Sequence, residues 1–218
     1  MSSLRGGDAV RRAAGRLRES LARPGVRPAV AAYFDPAEGF AGMTFATLGD
    51  NPPDQLTAAD LLAVSLLDIT WRPHVVRTLL GSQQQGISGL LAAVPSDLDL
   101  WDASNEVSKR IDVLWDALVA IEGVGTASAT KLLARKRPRL CPITDKVVIR
   151  AAGLPGLTWE VLRCLLQDPG ARAEVEALRP PEAAGASLLR ILDVAVWVAH
   201  SDSRGAQRAR LVGQDRAA

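Results

Sequence analysis

The stretch Ile121-Glu-Gly-Val-Gly-Thr-Ala-Ser-Ala-Thr-Lys-Leu-Leu-Ala-Arg-Lys-Arg-Pro-Arg-Leu-Cys-Pro-Ile-Thr-Asp-Lys-Val-Val-Ile-Arg150 decides how the chain folds. Ahead of it, Val107, Ile111, Leu114, Trp115 and Leu118 recur every three or four residues, the stripe of an amphipathic helix. Gly123-Val124-Gly125 breaks that helix, and a second is predicted to start at Thr126. Two glycines around one apolar residue permit a tight turn with positive φ, with Val124 anchored in the core. The first amides of the second helix have no intrahelical acceptor and, with the helix dipole behind them, suit an anion. Ala129 is small where the two helices must approach. Lys131, Arg135, Lys136, Arg137 and Arg139 follow at once, a basic run just beyond an anion-binding turn.

Working outward, residues 8–22 place Val10, Leu17 and Leu21 at helical spacing among arginines, which predicts a loosely attached basic amphipathic helix. Residues 23–55, rich in Pro and Gly with Tyr33, Phe34, Phe40 and Phe45 between them, predict a long loop that tucks aromatics onto the core, with room for a short strand. Thr57-x-x-Asp60 has the form of a capping box, with Leu56 and Leu61 as its hydrophobic staple. Helices are expected around Val75–Leu80, Ile87–Val94, Lys146–Ala152 and from Thr158. Leu188–Val198 is apolar nearly all round and reads as a central buried helix, in which Asp193 is expected either to pair with Arg190 or to cap a buried donor. The tail from Ser201 is polar and basic. The expected organisation is all-α: a basic N-terminal arm at 1–30, a helical domain at 31–200 with a helix–hairpin–helix at 105–136, and a disordered tail at 201–218.

Composition narrows the function classes. Hydrophobic residues make up 48% of the 218, with a mean hydropathy of +0.08, which suits a globular chain. No apolar run approaches the ~20 residues of a membrane helix. The arginines near the N-terminus are not followed by the apolar core of a secretory signal, so a cytoplasmic protein without membrane partners is expected. Two cysteines, Cys141 and Cys164, provide neither a disulfide framework nor a four-ligand metal site, and no cofactor is called for. The net charge of +2 hides segregation: residues 1–30 carry seven bases against two acids, 31–130 four against thirteen, and 131–150 seven against one. Three of the four lysines lie in that last segment. Such a footprint points to a polyanion, and beside the turn it points to DNA held by its phosphate backbone. The DNA-binding set expected is Gly123, Val124, Gly125, Thr126, Lys131, Arg135, Lys136 and Arg137. His74 and His200 lack ligand spacing, the five tryptophans read as core anchors, and Cys141 as a small packed residue.

Residues 114–150 resemble the heart of the helix–hairpin–helix DNA glycosylase superfamily. In those enzymes the hairpin is followed by a catalytic aspartate at the start of a helix. Pro142-Ile143-Thr144-Asp145 occupies that place, with Asp145 standing 20 residues after Gly125 and Arg150 at a basic position that follows the aspartate. The resemblance implies DNA repair chemistry: base release with Asp145 stabilising an oxocarbenium-like transition state. Members that also cut the strand carry a lysine where Ala127 stands, so the implied enzyme is monofunctional, and no four-cysteine cluster follows as in the iron–sulfur subgroup. Leu79-Leu80-Gly81-Ser82-Gln83 resembles the helix end that fills the gap left by a flipped base, although its interval to the hairpin is short. A second similarity, over about 45–200, is to a bacterial domain family of unknown function that shares the Leu-Leu-Ala-Arg-Lys-Arg-Pro run and a late Leu-Arg-x-Leu-Asp helix. Asp145 can equally serve as a helix N-cap or a partner of Lys146 or Arg150. Two other functions fit: a non-catalytic DNA-binding module on the same scaffold, and a protein-interaction domain whose hairpin meets an acidic partner.

Overall fold

Among the described residues twelve α-helices succeed one another: α1 (Ser2–Leu21), α2 (Val26–Phe34), α3 (Ala58–Ser65), α4 (Pro73–Arg77), α5 (Gln84–Ala92), α6 (Asn105–Val119), α7 (Thr126–Lys136), α8 (Lys146–Ala152), α9 (Thr158–Gln167), α10 (Pro169–Glu176), α11 (Leu188–His200) and α12 (Arg204–Ala217). The computed structural model describes residues 2–217, and no strand occurs among them. The protein is all-α. The chain forms two bodies rather than the single 31–200 domain expected: Thr44–Ile143 is one, and the residues before and after it are the other.

In the Thr44–Ile143 body, α3 begins with the capping box legible in the sequence: Thr57 accepts from the Asp60 amide while Asp60 accepts from the Thr57 amide. Leu56 and Leu61 are both buried. A single π-helical turn, Thr78–Ser82, links α4 to α5. Ser104 caps α6, which turns Ile111, Leu114 and Leu118 inward. α7 lies against both α3 and α6.

In the other body α11 is the hub, with Leu189, Ile191, Leu192, Val194, Ala195, Val196 and Val198 all buried against α1, α2, α8, α10 and α12. Asp193 pairs with Arg190, whose guanidinium also donates to the Tyr33 hydroxyl (2.6 Å) and the Gly42 carbonyl (2.8 Å). Three expectations are corrected here. The first is α2, which stands where a loop was expected. Pro28 lies in its first turn, where a missing N–H costs nothing, and an apolar run follows. The second is α1, which is a packed helix and not a loose arm: Ala13, Leu17 and Leu21 are buried. The third is the tail, where α12 replaces the expected disorder. Its small residues Gly205, Ala206, Ala209 and Gly213 form a seam, and a Cβ at Gly213 would lie 2.6 Å from the backbone of Pro28 and Ala29. Arg216 and Arg208 pair with Asp35 and Glu38, just beyond α2.

Candidate functional site

The turn between α6 and α7 is built as its glycines suggest, with one difference. Gly123 has φ +90° and is exposed, Val124 is 5% exposed, but Gly125 is extended (φ −92°, ψ 173°) and any residue could adopt its conformation. Gly125 is the N-cap of α7 and brings no side chain to it. The amides of Thr126, Ala127 and Ser128 therefore have no acceptor among the described residues; the first helical bond runs from the Ala129 amide to the Gly125 carbonyl (3.0 Å). Gly125 and Thr126 are exposed at this helix start, and Ala127 and Ser128 are half-buried. The start of α4 supports the turn: the His74 ring Nε2 donates to the Glu122 carbonyl (2.9 Å), and a Cβ at Gly123 would meet Val75 Cγ2 at 3.0 Å and Arg72 Cδ at 3.7 Å. Arg72 is exposed beside the turn and has no acid partner among the described residues. No motif marks this neighbour, because Arg72 lies 51 positions before Gly123.

The basic run behaves differently from a phosphate-facing stripe. Lys131, Arg135, Lys136 and Arg137 are 8%, 1%, 3% and 0% exposed. Lys131 Nζ donates to the Leu67 carbonyl (2.7 Å). Arg135 reaches the carbonyls of Phe45 (2.6 Å) and Leu48 (2.5 Å) and, through Nε, Asp60 Oδ1 (3.2 Å). Lys136 pairs with Asp60 and donates to Asn51 Oδ1 (2.8 Å) and the Pro52 carbonyl (3.1 Å). Arg137 donates to the Pro53 (2.6 Å), Val94 (2.9 Å) and Leu91 carbonyls and pairs with Asp54 (2.8 Å). Arg135, Lys136 and Arg137 thus clamp the 45–56 loop from inside while Lys131 holds the Leu67 carbonyl, and the expected place of all four in a DNA-facing set is corrected. The cause is geometric: the loop has few backbone partners of its own, and long cationic side chains satisfy its buried carbonyls. Asp60, fully buried, is the only carboxylate of the cluster taken wholly out of water. Desolvation pulls the Lys136 pKa below the ordinary lysine value, with Arg135 and Arg137 adding to the effect and Asp60 opposing it. One signal for this was present: an aspartate at the third position of an otherwise apolar helix.

Asp145 belongs to the other body. It caps α8, its Oδ1 accepting from the amides of Val147 (2.9 Å) and Val148 (3.0 Å). Oδ2 takes no donor among the described residues, and the side chain is half-buried. Neither Lys146 nor Arg150 pairs with it; Arg150 donates instead to the His200 carbonyl (3.1 Å). The His200 ring meets the Ser20 hydroxyl (2.8 Å), and its pKa is lowered by desolvation and then by Arg23 and Arg150. Burial pushes the Cys141 thiol up to about 12, which suits a packed residue and not a nucleophile. Among the described residues no group of three or more His, Cys, Asp or Glu side chains is placed to hold a metal ion. No helix among them is long and apolar enough to cross a membrane.

Residues 26–200 match the model of a family of unknown function, DUF6308. No curated protein and no solved structure matches the chain.

Proposed function

We propose, for a chain that belongs to the DUF6308 family of unknown function, that the α6–α7 hairpin binds the phosphate backbone of DNA through main-chain amides, without reading sequence. The observation that carries this is the uncapped N-terminus of α7, three acceptor-free amides behind an exposed turn with Arg72 beside it. Amides and a helix dipole hold a phosphate oxygen without the lysines and arginines usually invoked. Acids outnumber bases on the exposed surface of the Thr44–Ile143 body once the clamped cations are set aside. Affinity therefore belongs in the weak non-specific range, about 10⁻⁴–10⁻⁶ M.

The test is fluorescence anisotropy with labelled duplexes of unrelated sequence. With one or two cations at phosphates, log K against log salt should have a slope of about −1 to −2, where five cations would give about −4.5. Thr126→Pro is the sharp variant. Proline suits the first helical position, and the extended Gly125 accepts a following proline, yet one amide donor disappears. Binding should weaken several-fold on every sequence with the melting temperature unchanged. Equal binding would remove the amides from the proposal.

A catalytic extension, monofunctional base release through Asp145, draws support from its free Oδ2 on a half-buried carboxylate fixed by α8. Such an oxygen can stabilise an oxocarbenium-like transition state at an extruded nucleotide. Asn is as good an N-cap as Asp, so Asp145→Asn tests the charge with the helix intact. It should abolish base release from modified-base duplexes, and with Ala127 in place of a Schiff-base lysine no borohydride-trapped adduct should form. No release from any substrate by the parent would leave the non-catalytic binding module.

A further inference from the structure

A cleft of about 350 Å³ opens among α1, the turn into α2, α9 and α10, all in the body that flanks Thr44–Ile143. Its wall is apolar: Leu21, Leu165, Val175 and Leu178 line it. Three arginines, Arg18, Arg23 and Arg27, also line it. Arg18 is already neutralised: Nε and Nη2 fork onto the two Glu174 oxygens (2.7 and 2.5 Å), and Nη1 donates to Asp168 Oδ2 (2.6 Å). That contact also occupies Glu174, the one acid of the lining. Arg23 and Arg27 are exposed and make no side-chain hydrogen bond or ion pair with any described residue. The cleft therefore couples an apolar wall to two uncompensated, strongly fork-shaped cations.

We infer that this cleft binds a small amphipathic anion, an acyl or aryl group ending in a carboxylate or phosphate. The volume lies at the lower end of ligand pockets, roughly 300–1,000 Å³, which are mostly apolar with a few placed polar groups. The apolar body covers the leucines and valine, and the head takes bidentate bonds from Arg23 and Arg27. A cationic ligand would meet the same two arginines and be repelled, since Glu174 is held by Arg18.

The experiment is isothermal titration of the full chain with decanoate, decanol and decylamine below their micellar ranges, with amide shifts mapped by NMR. Decanoate should saturate, shifting residues along 18–27 and 165–178, and the other two should bind at least about tenfold more weakly, as the loss of one charge-assisted bond requires. Arg23→Gln with Arg27→Gln should lose at least that factor for decanoate and nothing for decanol. Ala177→Trp, an exposed position on the lining, should block all three by filling the cleft. Decanol or decylamine binding as tightly as decanoate overturns the proposal, as does a double variant that keeps parental decanoate affinity. So does the absence of saturation. Vesicles containing phosphatidylglycerol distinguish a free ligand from a lipid surface: capture on vesicles without saturable decanoate binding also overturns it.

Discussion

Replacing Asp60 by asparagine should destabilise the Thr44–Ile143 body by about 3–5 kcal/mol, the range for breaking a buried ion pair from one side. Asp60 is fully buried, and its two oxygens serve four donors: the Thr57 amide (2.8 Å), the Thr57 hydroxyl (3.0 Å), Arg135 Nε (3.2 Å) and Lys136 Nζ. Asparagine keeps the shape and part of the capping box but leaves two cations buried with no anion against them. The change corresponds to roughly a hundredfold to a few thousandfold in the unfolding constant. Urea denaturation gives the free energy, and hydrogen exchange at α3 and α7 amides assigns it to this body. Arg139→Gln, which breaks the half-exposed pair with Asp99, is the control and should cost no more than ~1 kcal/mol. Adding Lys136→Met to Asp60→Asn should recover part of the loss, because a desolvated charge is removed along with its absent partner. If Asp60→Asn and Arg139→Gln proved equally mild, the buried clamp would be wrong.

Other outcomes follow from the same geometry. Lys136 has its folded pKa below the ordinary 10.5, so between the two values the unfolded chain binds more protons and stability should rise with pH; Lys136→Met should flatten that rise, and identical slopes would contradict it. Gly123→Ala places a Cβ 3.0 Å from Val75 at φ +90° and should cost ~1–3 kcal/mol, whereas Gly125→Ala meets open space and should stay within ~0.5 kcal/mol in thermal melts. Gly213→Val drives side-chain atoms into the α2 backbone and should cost ~1–3 kcal/mol and expose α12 to limited proteolysis; an unchanged digestion pattern would mean that α12 is not packed there.

How much of this the sequence disclosed depended on range. Local signals were readable: the capping box at Thr57 and Asp60, the α6 stripe, the turn anchored by Val124, and Asp145 at the head of α8. Pairings set by tertiary structure were not. A run of Lys and Arg has the same spelling on a solvated face as in a buried clamp, and only the 45–56 loop, some 80–90 residues away in sequence, decides between them. α12 was hidden because its buried seam is glycine and alanine, which carry almost no hydrophobic signal. α10 was missed although Asp168-Pro169 has the form of an N-cap followed by a first-turn proline. Arg72 and the apolar cleft depend on elements far apart in the chain, and no motif marks either.

The four lysines offer the most direct measurement of the central claim, that the basic run is an internal clamp. Brief treatment of the native chain with an amine-acylating reagent, read by peptide mass spectrometry, compares them within one sample. Lys109 and Lys146 are exposed, while Lys131 and Lys136 are 8% and 3% exposed with their ammonium groups bonded inside. The clamp predicts rapid labelling at Lys109 and Lys146 and none at Lys131 and Lys136 until urea unfolds the body. Equal labelling of all four in the native chain would place the run on the surface and contradict it.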